Sequence, residues 1–407
     1  MSCIRLRCLA TAVLALAAAA TSSVGPAGAA TEASEVVTCG QTLTRSVVLT
    51  RDVGPCDGDG IVVGADGITV NLNGHRVTGA PGPDNSVGIR LTRRSRVVVT
   101  GGKVADFGAG VAIMGGSHNI VARVKAHDNV GPIDGSGDFG DGIAIFNSSE
   151  NVLAGNIVRH NGPFDGIGVF GAPSTGNTII RNVVELNNIA RFSPQLQLML
   201  NLDDGINLGA GLSGGSNTRV IGNKIRRNGL NGINACSIRG NPCITTDDVI
   251  VGNIVDGNGF GDPLNPDPYN SGDGIHVVGI TPPGHDSSDF FPPTREIVAD
   301  NIVTDNAGSG IAVGSSNNTI RRNRVLGNGS AFPDFFFDLH DISLNNDCDS
   351  NVWAGNTYTT ADPACTTAGG HQVPGRVRSA ASMTAATAPR HPASAAGPSV
   401  QRRFPMS

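Results

Sequence analysis

Tryptophan occurs once in this chain, at Trp353, and tyrosine twice, at Tyr269 and Tyr358. So little aromatic surface leaves few platforms on which a sugar ring could stack. The cysteines form no CxxC pair and no Cys/His spacing of the zinc-binding kind, so a structural metal is not expected. Leucine-rich-repeat consensus segments are missing as well. No apolar run reaches the roughly 20 residues of a membrane-spanning helix. The run Leu9 to Ala20, with Arg5 and Arg7 before it and Ala27, Gly28 and Ala29 after it, gives residues 1–29 the layout of a secretory signal peptide. Soluble export is expected, with no membrane partner.

Glycine is plentiful at 56 residues, asparagine recurs, and the apolar residues are mostly Val and Ile. That composition favours short strands joined by tight turns over helices. Of the eight cysteines, Cys3 and Cys8 fall in the signal, and the rest suit an oxidising compartment. They lie in local pairs, Cys39 with Cys56, Cys236 with Cys243 and Cys348 with Cys365, although sequence alone leaves the connectivity open. From Thr366 onward the chain is rich in Ala, Ser, Pro and Thr without apolar periodicity, so residues 366–407 are expected to form a disordered tail. That tail carries five arginines and no acid. Removing them and the two signal-peptide arginines from the net charge of −5 leaves −12 for residues 31 to 366. An acidic body disfavours nucleic acid and other polyanions at long range unless a cation bridges the contact.

Asparagines five residues apart recur: Asn156 and Asn161, Asn182 and Asn187, Asn223 and Asn228, Asn253 and Asn258, Asn301 and Asn306, Asn323 and Asn328. Three residues before each leading asparagine stands Leu153, Ile179, Val220, Ile250, Val298 or Ile320, with Trp353 in that place before Asn356. Two residues after each stands Val158, Val184, Ile225, Val255, Val303 or Val325, with Tyr358 last. A third strand follows each Gly-Ile step, at Ile143, Ile167, Ile206, Ile233, Ile275 and Ile311, and side-chain alternation turns the residue two places on inward too. Ile342 and Leu344 repeat the pattern. A unit of 22 to 24 residues, as from Gly88 to Gly110 and Gly142 to Gly166, cannot bury its apolar side alone and must stack. Corner asparagines can then form amide ladders while tolerating left-handed backbone.

The expected fold is all-β, a right-handed parallel β-helix of three-strand coils, with disulfide-closed loops. An N-terminal cap over 30–60 precedes a β-helix over 61–365. A flat sandwich would not hold three apolar positions in one register. On these residues the chain resembles the pectate-lyase-like superfamily, which includes the copper-site maturation β-helix proteins of nitrous oxide reductase systems and secreted bacterial homologues. The resemblance runs from about Cys39 to Cys365, with Asp59 to Val63 and Leu72 to His75 similar to first coils and Asn351 to Asn356 similar to a last one. It implies the fold and leaves the reaction open, since that scaffold carries lyases, hydrolases, epimerases and binding proteins.

Acids precede several Gly-Ile steps, at Asp141, Asp165, Asp204 and Asp273, with Asp203 beside Asp204. A row of carboxylates could bind Ca²⁺ or supply acid/base pairs, and it equally marks a repeated turn, where Asp before Gly is favoured. The outward positions Asn207, Asn234 and His276 fall on successive coils flanked by the longest insertions, which places a candidate groove there. Asp165, Asp203, Asp204, Asp273 and His276 are the candidate acid/base groups, and Asn207 and Asn234 the candidate substrate contacts. In order, Asp165, Asp203-Asp204 and His276 are similar to the polygalacturonase-type glycoside hydrolase motifs, although His276 does not stand between glycines. Asp338-Leu339-His340-Asp341 is similar to the Asp-Pro-His-Asp motif of alginate epimerases with Leu for Pro, and a packed cap is its expected role. The reading is a secreted monomer that binds or cleaves extracellular polysaccharide, as a lyase or glycoside hydrolase if it is an enzyme. The competing reading is a non-catalytic structural or adhesion scaffold.

Overall fold

The computed structural model describes residues 33–80, 82–132, 139–171, 174–187, 216–235, 246–259, 272–278, 294–330, 333–342, 348 and 350–374, and the backbone of 206–210. The signal peptide, Asp203, Asp204, Cys236, Cys243, Ser343, Leu344 and residues 375–407 lie outside the described residues.

Each coil gives one strand to each of three parallel stacks. The first stack is a 12-stranded sheet that follows the Gly-Ile steps, from Gln41–Leu43 through Ile143–Phe146 and Ile275–Val278 to Ala361–Asp362. The second runs from Ala33–Glu35 to Val352–Ala354 and the third from Val53–Cys56 to His371–Gln372. Two longer strands, Val98–Ala105 and Ile120–His127, take part in both and join these stacks into one 22-stranded sheet.

The inward columns form as the repeat requires. Ile179 pairs with Val220, Val220 with Ile250, Ile250 with Val298, Val298 with Ile320 and Ile320 with Trp353. The same holds in the third stack for Val158, Val184, Ile225, Val255, Val303, Val325 and Tyr358. These side chains are buried, and they belong to one continuous core. Burying each aliphatic side chain contributes about 1.5–3 kcal/mol, which a lone coil could not collect.

At the corners, Asn182 Nδ2 donates to Asn223 Oδ1 at 3.0 Å, Asn223 to Asn253 at 3.0 Å, and Asn253 to Asn301 at 3.0 Å. Each Oδ1 also accepts the backbone N–H of the previous coil's asparagine, as Asn223 does from Asn182 at 2.8 Å. Buried polar groups are thereby satisfied. The left-handed residue is not the asparagine, contrary to the sequence expectation. It is the residue before it, such as Arg181 (φ 55°), Gly222 (φ 62°) or Asp300 (φ 57°), because that turn is what aims the following amide into the ladder. Glycine in the Gly-Ile step has a different cause: a Cβ on Gly274 would stand 2.6 Å from the Gly310 carbonyl oxygen of the next coil.

Three boundaries differ from expectation. Ala33–Glu35 pairs with Val47–Leu49, and Gln41–Leu43 with Ile61–Val63, so the span assigned to a cap already forms a coil, with Val47, Leu49 and Leu43 buried in it. At the other end a 3₁₀ helix at Ala364–Thr367 and the pairing of His371–Gln372 with Thr357–Tyr358 carry regular structure past Thr366, whose side chain is itself buried. The last inward pair of the first stack is Leu339 and Asp341, which pair with Ile311 and Val313, so the strand lies ahead of the expected start at Ile342. Asp341 is accommodated inside because Asn351 Nδ2 and Trp353 Nε1 both donate to its Oδ2 at 3.0 Å. Disulfides Cys39–Cys56 and Cys348–Cys365 form as paired in the sequence.

Candidate functional site

The outward column of the first stack is set by register. Gly168 pairs with Asn207, Asn207 with Asn234, Asn234 with His276, His276 with Ala312, Ala312 with His340 and His340 with Asp362. Parallel strands lie about 4.8 Å apart, so His276 and His340 stand roughly 10 Å apart along the axis. Asn207 occupies the expected place in the backbone, and its side chain lies outside the described residues.

Asp273 and His276 meet. Asp273 Oδ2 lies 2.6 Å from His276 Nδ1, and both side chains are almost wholly buried, at 4 % and 3 % exposure. The other oxygen, Oδ1, accepts the backbone N–H of Ser309 from the next coil at 2.6 Å. Asp273 thus keeps the corner duty expected of a turn acid and also orients an imidazole. In the neutral tautomer whose Nδ1–H donates to the carboxylate, Nε2 carries the lone pair, and Nε2 is buried with no hydrogen-bond partner. That is the arrangement of a general base, held in a covered position.

Ser309 was not singled out from the sequence, and His340 was named there only within Asp338-Leu339-His340-Asp341, with a packed cap as its expected role. Ser309 Oγ lies 3.0 Å from His340 Nδ1, and the Phe337 ring meets the His340 ring edge to face at 5.2 Å. Burial holds the His340 imidazole below the usual histidine range, against the pull of Asp273, Asp362 and Asp341. The serine is joined to one histidine and the aspartate to another, so the four groups are two pairs linked through the Ser309 N–H and do not form a Ser-His-Asp relay. Ser309 holds the Asp273 place before a Gly-Ile step, and His340 holds the middle of its strand, signals that a correct register at Leu339 would have supplied.

The remaining candidates separate. Asp165 is buried at its corner, and its backbone N–H donates to Asp141 Oδ1 at 3.1 Å. It stands three coils before Asp273, roughly 14 Å along the axis, and does not join the dyad. Asn234 neighbours His276 and is buried too. Of the Asp338-Leu339-His340-Asp341 segment, both acids serve packing: Asp338 Oδ1 ends an amide ladder from Asn328 at 2.8 Å, and its Oδ2 accepts the Thr359 N–H at 2.8 Å. Burial raises the Asp338 carboxyl despite those bonds. Only His340 of that segment faces outward. Earlier coils are roofed rather than open, since the Phe170 ring lies where a Cβ on Gly168 would be, and Phe139 packs over Ala112 with Arg90 above its ring at 5.5 Å. Among the described residues, no group of three or more His, Cys, Asp or Glu could hold a metal ion.

Residues 51–193 match the family model described as right handed beta helix region. With the stacked strands above, this makes the chain a parallel β-helix protein. No curated protein matches its sequence. Among solved structures it is similar to the Dettilon tailspike protein at 15% identity, covering 79% of this chain and 54% of that one with a TM-score of 0.48. It is similar to a mutant of the periplasmic alginate epimerase AlgG at 14%, covering 81% and 71% with 0.48, and to PfbA, a surface adhesin of Streptococcus pneumoniae, at 14%, covering 78% and 73% with 0.46. The chain spans about half the length of the tailspike.

Proposed function

We propose that the protein is secreted and binds or cleaves extracellular polysaccharide along the outward column of the first stack, with Asp273 and His276 at its centre. The carrying observation is the 2.6 Å Asp273–His276 contact with Nε2 left unpartnered, so that the Nδ1–H tautomer offers Nε2 as a base. In this reading His276 takes a proton from the sugar or an attacking water, Asp273 orients it, and Asn234 and His340 contact the glycan on either side. Asp165, Asp203, Asp204 and Asn207 belong to the same proposal as acids and contacts along the earlier coils. Secretion is supported by the layout of residues 1–29 and by the two disulfides.

The burial of both dyad members favours a second reading, a non-catalytic scaffold whose Asp–His pair only braces the coil. The experiment is a screen of neutral and uronate polysaccharides for new reducing ends or unsaturated products, with and without Ca²⁺. Cleavage by the wild type that drops by about 100-fold or more in His276→Ala, with Asp273→Asn intermediate, is the expected result. A wild type inert on every glycan sinks the enzymatic reading and leaves the scaffold.

A further inference from the structure

The third stack carries an arrangement that the site above does not use. Arg76 pairs in register with Lys103, and Lys103 with Lys125, so three cations stand on successive coils in one outward column. Arg159 lies one coil further on, in the strand where Ile157 continues that column. Like charges stacked directly across strands repel. Elsewhere the molecule avoids this by pairing opposite signs between coils, as Arg226 with Glu185, Arg295 with Asp247 and Arg322 with Asp300, each at 2.7 Å. Among the described residues, no ion pair involves Arg76, Lys103, Lys125 or Arg159. Asp52, at the neighbouring corner, accepts the Arg76 backbone N–H and meets His75, while Asp128 meets His127 at 2.7 Å. Partial burial and then the nearby Arg159 and Lys103 hold the Lys125 ammonium below the usual lysine range, despite Asp128.

We infer that this column is a second binding surface, for a uronate-type anionic polysaccharide lying along the helix axis over the N-terminal coils. It presents a cation about every 4.8 Å, a linear pattern that matches a polymer with one carboxylate per sugar. Lysine and arginine heads reach such carboxylates with charge-assisted bonds. The column has no Phe, Tyr or Trp on which a nucleic-acid base would stack, whereas exposed Ile157 offers an aliphatic patch to a sugar face. The body's net −12 acts at long range and is screened beyond about 8 Å in physiological salt, so at contact the local column decides. This overrides the general expectation against polyanions. The inference uses a different face from the dyad and stands or falls apart from it.

The test is titration calorimetry of the full chain with polygalacturonate, dextran and a single-stranded DNA of similar charge. Wild type is expected to bind polygalacturonate and not dextran, more weakly as salt rises. Replacing Lys103→Ala and Lys125→Ala together should weaken that binding by about tenfold or more, while Lys103→Arg with Lys125→Arg restores it and shows that charge, not folding, was lost. His276→Ala should bind like wild type. Undiminished binding by the alanine pair, no binding by wild type, or DNA bound as tightly as polygalacturonate would each overturn the inference.

Discussion

Asp248 occupies the corner between the first and second stacks where Asn119, Asn151, Asn177, Asn318 and Asn351 stand in other coils. Its Oδ1 does the asparagine's work, accepting the Thr218 N–H at 2.6 Å, and its own N–H donates to Glu296 Oε2 at 2.9 Å. What it lacks is the amide donor, and its Oδ2 is buried without a hydrogen-bond partner. Burial, then the neighbouring Glu296, pushes this carboxyl well above the aspartate range. The folded protein therefore keeps that proton to higher pH than the unfolded chain does. Stability consequently declines as pH climbs from the ordinary aspartate range toward the raised value. Asp248→Asn restores the amide, and it is expected to add about 1–3 kcal/mol at pH 8 and to flatten the pH dependence. Thermal unfolding between pH 4 and 8 checks this, and a variant no more stable than wild type at the upper end would count against it.

At the scale of the strand and its corner, the ladder is a cooperative element. Asn223 makes four of its bonds: to Asn253 Oδ1 and the Ile179 carbonyl at 3.0 and 2.9 Å, and from the Asn182 N–H and Nδ2 at 2.8 and 3.0 Å. Asn223→Ala leaves those partners buried and unmet, with an expected loss on the order of 3 kcal/mol. Asn223→Asp keeps the acceptor half and should lose less in acid than in neutral solution. Chemical denaturation of both variants separates the two halves. The columns and two of the ladders were legible because Val, Ile and Asn recur at fixed offsets. The third ladder was not, since Thr218, Asp248 and Glu296 interrupt its asparagines. Nor was the strand at Leu339, where Asp338 replaces the glycine and a buried Asp341 replaces an aliphatic residue. Asp273 and His276, three residues apart, were found together because both followed the repeat. Their concealment was not foreseeable, because alternation tells inward from outward and is silent about what covers the outside.

For the whole molecule, neighbour-to-neighbour stacking means that stability is distributed and the ends are the weak places. The two described disulfides sit there, each closing 17 residues. Loss of the first by Cys39→Ser with Cys56→Ser is expected to cost about 3 kcal/mol. That loss should appear as faster amide exchange at Gln41–Leu43 and Val53–Cys56, with the central coils unchanged. Uniform acceleration along the chain would instead mean that the solenoid unfolds as one unit.

Successive ladder asparagines are 41, 30, 48 and 22 residues apart between Asn182 and Asn323, yet the amide bonds joining them are all 3.0 Å. The corners work like marks on a ruler: contour length between two marks can be lengthened or trimmed while the marks stay put. Decorating segments can therefore diverge in size and chemistry without a change in the frame that carries them, and novelty in such a chain is expected between the marks.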